Sequence, residues 1–240
     1  TIKDNIKINS RVRLILGLNE ERDWKCIKHY KEKEEWPTVG FSPDADFPCI
    51  YAEKGIATVY IKDDFSKYKN YPIKISNIDC NNNAINVVPK DCTVTLDIDT
   101  SKINLSDVIN FIDTELAYLK FSYSIHENSI LLHSSGVQAH SAHPDLGKNA
   151  ISPMIVFLHK LFNHFELDIK LFDFFDKFIN TEFDGKSLGI NFEDESGKLT
   201  LNVGHIKFYE NYLQIGINLR IPVNTPIDTV TNLIDLKCTE

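Results

Sequence analysis

Two adjacent carboxylates, Glu20 and Glu21, follow an apolar run that ends in a glycine, and Asp44 comes later in a Ser-Pro-Asp turn between aromatic residues. Because Gly17 allows the backbone to turn, both glutamates could address one centre instead of opposite faces of a strand. Three carboxylates held together repel one another unless a cation lies between them. The pattern therefore predicts a divalent metal site. The alternative is a solvated acidic face, which is our interpretation of the charged run at 31–35.

A second group of polar residues lies further along the chain. His140 is in a loop bounded by Gly136 and Gly147 that joins a predicted strand to a predicted helix, where a side chain can reach across a cleft. A loop histidine is most often a surface residue, and we keep that interpretation for His143. On residue type alone it also holds for His140.

The elements that must position the carboxylates begin with residues 12–18, an apolar run that predicts a buried strand. Helical spacing of apolar residues predicts a helix over 23–36, which Pro37 would stop. A second strand is predicted over 47–52. This β-α-β order is typical of a mostly parallel sheet with active residues at the carboxyl ends of its strands.

The pattern changes near Glu53-Lys54-Gly55, where we place a domain boundary, so the predicted domains are 1–53 and 54–240. The second domain is predicted to be α+β, with helices on one face of antiparallel sheets. Its predicted elements are strands at 56–61 and 92–98, helices at 108–119 and 151–165, a hairpin of 124–126 with 131–133, and a hairpin of 188–192 with 199–203 that turns at Ser196-Gly197.

Composition limits the class of protein. The 240 residues are 42% hydrophobic and carry a net charge of -8, which argues against a nucleic acid as the main partner. Five cysteines without a C-x-x-C pair favour a reduced cytoplasm. No apolar run is long enough for a membrane span, so we expect a soluble protein.

Three segments resemble the di-zinc metallopeptidases that include aminoacylase, carnosinase and succinyl-diaminopimelate desuccinylase, and most of all the bacterial PepV-type dipeptidases. They are Gly17-Leu18-Asn19-Glu20-Glu21, Trp24-Lys25-Cys26 and the run from Gly40 to Pro48. Two departures are mild: Leu18 stands where the family often has Thr, and Arg22 where it often has Ser. The resemblance implies that residues 1–53 are part of an α/β catalytic domain.

The resemblance also implies roles for the carboxylates. Glu20 would be the general base that acts on a metal-bridging water, and Glu21 and Asp44 would be ligands of two zinc ions, for which manganese or cobalt could substitute. The family further requires a His-x-Asp motif and a bridging Asp that precede these carboxylates, and a metal-binding His near its end, and the 240 residues supply none of them at those places. We therefore expect the polypeptide by itself to be inactive and to bind metal weakly or not at all.

The most specific match is Gly-x-x-Ala-His-x-x-x-Pro-x-x-Gly-x-Asn-Ala, which residues 136–150 follow almost throughout. It implies that residues 54–240 are a lid domain and that His140 donates to the oxyanion of the tetrahedral intermediate. The segments at 86–89 and 218–222 resemble two PepV-type segments in which an Asn and an Arg hold the terminal carboxylate of the substrate. That role would fall to Asn86 and Arg220, which otherwise are a turn residue and a strand-edge charge.

Ninety-two positions separate Pro48 from His140, a spacing that matches the enlarged PepV-type lid. By resemblance, this implies a monomer that hydrolyses dipeptides. A deacylase or desuccinylase of the same family, and a catalytically inactive binding module, are the alternatives. Retention of five residues speaks against the inactive module: Glu20, Glu21, Asp44, His140 and Arg220.

Overall fold

A computed structural model describes residues 7–18, 23–43, 50–80, 84–116, 119 and 121–239. The chain divides into two compact units, residues 1–50 and 51–240. The predicted boundary at 53–55 falls just inside the second unit. The interpretation of the two parts as a catalytic domain and a lid stays a prediction.

The first unit contains one helix among its described residues, α1 (Lys25–Lys33). Ile27 and Tyr30 recur at helical spacing, and the Tyr30 ring meets the edge of the Trp36 ring with their centroids 6.0 Å apart. The guanidinium of Arg13 donates to the Tyr30 hydroxyl and, over 3.1 Å, to the Glu35 carbonyl. The predicted helix over 23–36 is confirmed in its central part.

The predicted buried strand at 12–18 is wrong. These residues form no strand, and Leu14, Leu16 and Leu18 are 81%, 81% and 93% exposed. A strand needs a hydrogen-bonded neighbour, and the described residues of the first unit contain no other strand to supply one. Of the second predicted strand, residues 47–49 lie outside the described residues and 50–52 form no strand. The parallel sheet therefore stays a prediction.

The second unit has nine strands and four helices among its described residues. The strands are β1 (Gly55–Asp64), β2 (Ile73–Asp79), β3 (Asp91–Ile98), β4 (Phe121–His126), β5 (Ser129–Ser135), β6 (Glu193–Asp194), β7 (Gly197–Lys198), β8 (Thr200–Phe208) and β9 (Tyr212–Ile221). The helices are α2 (Leu105–Leu116), α3 (Ile151–His164), α4 (Lys170–Phe178) and α5 (Ile227–Cys238). None of these described helices has the length and apolar character that a membrane crossing requires.

All strand pairs in this unit are antiparallel. One sheet has the order β1-β9-β8, a second has the order β2-β3-β5-β4, and β6 and β7 form a short hairpin. Burial alternates along β1 and β3, so each sheet turns one face to the core. Helix α3 is buried along most of its length, and the fully buried rings of Phe157, Phe162, Phe172 and Phe175 fill the space between helices and sheets.

The second unit confirms most of its predicted elements. Strands β1 and β3, helices α2 and α3 and the hairpin of β4 with β5 match the predicted segments. The predicted strand at 188–192 is wrong, since β8 pairs with β9, and the turn at Glu195-Ser196 joins the short strands β6 and β7. Residues 185–190 instead form a turn, in which the Ile190 amide donates to the Gly185 carbonyl over 3.0 Å. A short apolar run does not by itself distinguish a buried turn from a strand.

Candidate functional site

The three-stranded sheet has one apolar and one polar face. Along β9, Leu213, Ile215, Ile217, Leu219 and Ile221 are fully buried towards the core. The alternate positions carry Gln214, Gly216, Asn218 and Arg220. Because Asn218 is only 2% exposed, another part of the chain must cover this polar face.

The segment 85–88 provides part of that cover. The side-chain amide of Asn202, on β8, donates to the carbonyls of Ile85 and Val87 over 3.2 and 3.0 Å. Gly204 allows this approach, because a methyl group there would lie 2.1 Å from the Ile85 carbonyl oxygen. The sequence thus places a glycine where two backbones meet, and Asn86 is carried to the polar face of the sheet.

The loop that bears His140 is built by the residues of the matched signature. Val137 and Lys148 exchange two backbone hydrogen bonds of 2.8 Å, and a methyl group at Gly136 would lie 1.9 Å from the Lys148 carbonyl oxygen. The side-chain oxygen of Asn149 accepts the amides of Ile151 and Ser152 over 2.8 and 3.1 Å, which caps the first turn of α3. The loop is therefore closed on itself and anchored to a buried helix.

Asn86 and His140 lie on paired backbone segments. The Val88 amide donates to the Ala139 carbonyl over 2.8 Å, and the Ser141 amide donates to the Asn86 carbonyl over 2.9 Å. These bonds make Val87 and His140 an antiparallel pair. The structure thus brings together two site residues that are 54 positions apart in the sequence.

The imidazole of His140 is exposed, and one of its nitrogens is engaged. Nδ1 accepts the backbone amide of Ala142 over 3.1 Å. Because Nδ1 is an acceptor, the neutral ring carries its proton on Nε2. His140 can therefore offer a hydrogen-bond donor from a ring whose orientation is fixed by the adjacent backbone.

Arg220 is connected to the same loop. Its Nη2 donates to the Ser141 hydroxyl over 3.5 Å, and the Ser141 hydroxyl donates to Asn218 Oδ1 over 2.8 Å. Across the sheet, Arg220 lies opposite Ile56 on β1 and Thr200 on β8. The arginine predicted to bind a carboxylate is thus held beside the predicted oxyanion donor.

The guanidinium of Arg220 has one hydrogen-bond donor that no described residue uses. Its Nε is buried and has no hydrogen-bond partner among the described residues. Burial lowers the pKa of the guanidinium, while the negative charge of Glu53 raises it. A partly desolvated guanidinium with an unused donor is suited to bind an anion, and its planar fork matches a carboxylate.

The carboxylate half of the predicted site is not described. Glu20, Glu21 and Asp44 lie outside the described residues. Among the residues that are described, no group of three or more His, Cys, Asp or Glu side chains is placed to hold a metal ion. The zinc site therefore stays a prediction from the sequence. His143 is exposed, as predicted.

Two supporting residues, Ser141 and Asn218, received no role from the sequence, although Asn218 begins the matched segment 218–222. Ser141 follows His140 directly and is fully buried. Asn218 shares with Arg220 the polar positions of an otherwise apolar strand. That run of polar residues at every second position of β9 is a signal that could have pointed to Asn218. No comparable pattern marks Ser141.

The chain is similar in sequence to curated bacterial proteins. The chain is 34% identical over 232 residues to "Putative dipeptidase YtjP" of Bacillus subtilis (strain 168), an alignment that covers 92% of this chain and 48% of that protein. It is 32% identical over 225 residues to "Putative dipeptidase SAR1836" of Staphylococcus aureus (strain MRSA252), with 91% and 47% covered. No family model matches the chain. The chain spans about half the length of the curated relatives that it matches.

Proposed function

We propose that this chain is part of a dipeptidase and that its second unit binds a small peptide through the free carboxylate of the substrate. The similarity to proteins named as dipeptidases, over 92% and 91% of the chain, supports hydrolysis of dipeptides. The observation that carries the carboxylate site is Arg220, whose Nε is buried without a partner among the described residues. A substrate carboxylate would bring the opposite charge to this half-buried guanidinium, and the adjacent segment of Asn86 would complete the site.

His140 is the proposed oxyanion donor. Its Nδ1 is held by the Ala142 amide, so Nε2 presents the proton. When the carbonyl of the scissile peptide becomes tetrahedral, its oxygen gains negative charge, and a donor fixed beforehand stabilises that charge without reorganisation. Removal of one such donor typically lowers kcat by roughly 10²- to 10³-fold.

The metal-dependent part of the proposal rests on the sequence resemblance. Glu21 and Asp44 would hold zinc, or manganese or cobalt in its place, and Glu20 would be the general base. The metal ions would supply an activated water when bound.

The test is a substrate panel measured with the complete gene product: free dipeptides, the same dipeptides with an amidated C-terminus, and N-acyl amino acids. We expect free dipeptides to be the best substrates. Arg220→Ala should raise KM for the free dipeptides much more than for the amides. Equal hydrolysis of free and amidated dipeptides by the unmodified protein would contradict the carboxylate site, and preference for N-acyl amino acids would favour a deacylase.

Two further measurements separate the catalytic roles. His140→Ala should lower kcat with little change in KM, whereas Glu20→Ala should abolish hydrolysis while metal content stays unchanged. On the 240-residue polypeptide, isothermal titration should detect no tight zinc binding. Two tight equivalents would contradict our expectation that this polypeptide binds metal weakly.

A further inference from the structure

Ser141 is a buried polar residue at the centre of the site, and none of the roles proposed above uses it. Its side chain is fully buried. Its hydroxyl donates to Asn218 Oδ1 over 2.8 Å and accepts from Arg220 Nη2 over 3.5 Å. Its carbonyl accepts the Thr200 hydroxyl over 3.3 Å, and its amide donates to the Asn86 carbonyl over 2.9 Å.

These four contacts reach three separate parts of the fold. Asn218 and Arg220 belong to β9, Thr200 belongs to β8, and Asn86 belongs to the segment that covers the sheet. The covalent neighbour of Ser141 is His140. One residue thus connects the loop of the oxyanion donor with the strand of the carboxylate-binding arginine, across 79 positions of sequence.

We propose that Ser141 is a positioning residue that fixes the His140 ring and the Arg220 guanidinium relative to each other, so that one dipeptide can meet both. This inference rests on the proposed function. A dipeptide separates its scissile carbonyl from its terminal carboxylate by a fixed number of bonds, so the two binding groups must match that distance. A displacement of about 1 Å between such groups can lower the rate by about 100-fold.

The chemistry of a serine hydroxyl suits this position. It offers one donor and two acceptor lone pairs, so it can donate to Asn218 and accept from Arg220 at once. Alanine would fill nearly the same space and leave Asn218 Oδ1 and Arg220 Nη2 without this shared partner. Threonine would keep the hydroxyl and add a single methyl group.

A buried hydroxyl can also act through stability alone, and the chain offers a matched control. Ser134 is equally fully buried, and its hydroxyl donates to the Ala150 carbonyl over 2.5 Å. Ser134→Ala therefore removes a buried hydroxyl bond in the same unit without touching Asn218 or Arg220. Any effect of Ser141→Ala that Ser134→Ala does not share belongs to positioning.

The first experiment needs no catalysis. In the 240-residue chain, nitrogen-15 NMR of the His140 imidazole reports which ring nitrogen carries the proton, and hydrogen exchange reports protection of the Ala142 amide. Ser141→Ala should shift His140 from one tautomer to a mixture and increase Ala142 exchange about 10-fold. Ser134→Ala should change neither, and Ser141→Thr should restore both. An unchanged His140 tautomer and Ala142 exchange rate in Ser141→Ala would overturn the proposal.

If Ser141→Ala does not fold, Thr200→Val provides a milder variant, because it removes only the bond to the Ser141 carbonyl. It should produce the same changes at His140 and Ala142 to a smaller extent. A folded Thr200→Val protein with His140 and Ala142 unchanged would contradict the proposal.

The second experiment measures kinetics with the complete gene product. Ser141→Ala should lower kcat/KM for free dipeptides by about 10- to 100-fold, with a lower kcat and a higher KM. The rise in KM should disappear when Arg220 is already Ala, since the variant then has no guanidinium to misplace. Additive losses would contradict the coupling. If the NMR changes occur but free and amidated dipeptides react alike, Ser141 still positions His140 and the proposed function fails instead.

Discussion

The two units of the chain use their apolar residues differently. In the second unit, Leu158 and Phe162 on α3 are 0% and 2% exposed, whereas Leu14 and Leu16 in the first unit are each 81% exposed. Both sets belong to apolar runs in the sequence. An apolar pattern therefore predicts burial only where other elements supply the surface against which it packs.

The two units also differ in how much of the predicted site the structure describes. In the second unit, backbone pairs and buried hydroxyl bonds bring the segments of Asn86, His140 and Arg220 together. Glu20, Glu21 and Asp44 lie outside the described residues, so the metal site assigned to the first unit stays a prediction from the sequence.

The largest expected effect tests the contrast in burial directly. Leu158→Ala should lower the free energy of unfolding by about 2 to 5 kcal/mol, because it removes a fully buried side chain and leaves a cavity. Leu16→Ala makes the same chemical change at an exposed position and should cost less than about 0.5 kcal/mol. Urea denaturation followed by circular dichroism measures both. A comparable loss in the two variants would remove the distinction between the units.

The next effect concerns close backbone approach. Gly204→Ala places a methyl group 2.1 Å from the Ile85 carbonyl oxygen, so it should destabilise the fold by about 1 to 3 kcal/mol or displace the segment of Asn86. Gly40→Ala in the first unit is the matched control, since no described atom lies within 4 Å of the added group. Thermal unfolding compares them, and equal midpoints for both variants would contradict the close approach.

A smaller effect concerns pH. In the second unit, the hydroxyl of Ser196, together with the amides of Ser196 and Asn224, lowers the pKa of Asp194. Because the charged form is favoured in the folded state, the resulting stability is present above the ordinary pKa of Asp and is lost as pH falls through the folded pKa. The difference in unfolding midpoint between the unmodified protein and Asp194→Asn should therefore shrink from pH 7 to pH 3. A constant difference would contradict this assignment.

The smallest effect concerns the interactions that lower the pKa of a carboxyl group in each unit. In the first unit, hydrogen bonding and charge attraction from Arg11 lower the pKa of Glu35, and both side chains are largely exposed. Salt screens exposed charge pairs, whereas the donors to Asp194 are neutral. Carbon-13 NMR titration in 1 M NaCl should therefore return the pKa of Glu35 towards its ordinary value and leave that of Asp194 lowered. Equal salt sensitivity of the two groups would contradict the contrast.

Sequence patterns predicted the strands and helices in which apolar residues recur at the spacing typical of that element. Alternation of polar and apolar residues found β1 and β3, and helical spacing found α2 and α3. The same reasoning misplaced the partner of β8, because period-2 alternation identifies a strand and does not say which strand lies beside it. It also predicted a strand at 12–18, an apolar run for which the described residues of the first unit supply no neighbouring strand.

The candidate site also combines residues that a local motif identifies with contacts that join distant segments. His140, Asn86 and Arg220 were given roles from short motifs, whereas the bonds from Ser141 to Asn218 and Arg220 emerged only with the structure. A motif records residues that are adjacent in the chain. The bond from Arg220 to Ser141 joins residues 79 positions apart and depends on how the loop, the covering segment and β9 pack together.

Residue patterns along the chain were enough to predict where it alternates, where it is helical, and that Gly136 bounds the loop of His140. Those features are local, because each depends on the chirality, size or polarity of neighbouring residues. Packing between distant segments was needed to show that Leu16 is exposed, that β8 pairs with β9, and that Ser141 is buried with its hydroxyl bonded to Arg220. These outcomes depend on contacts between distant segments, whose free energies are not encoded in any local period.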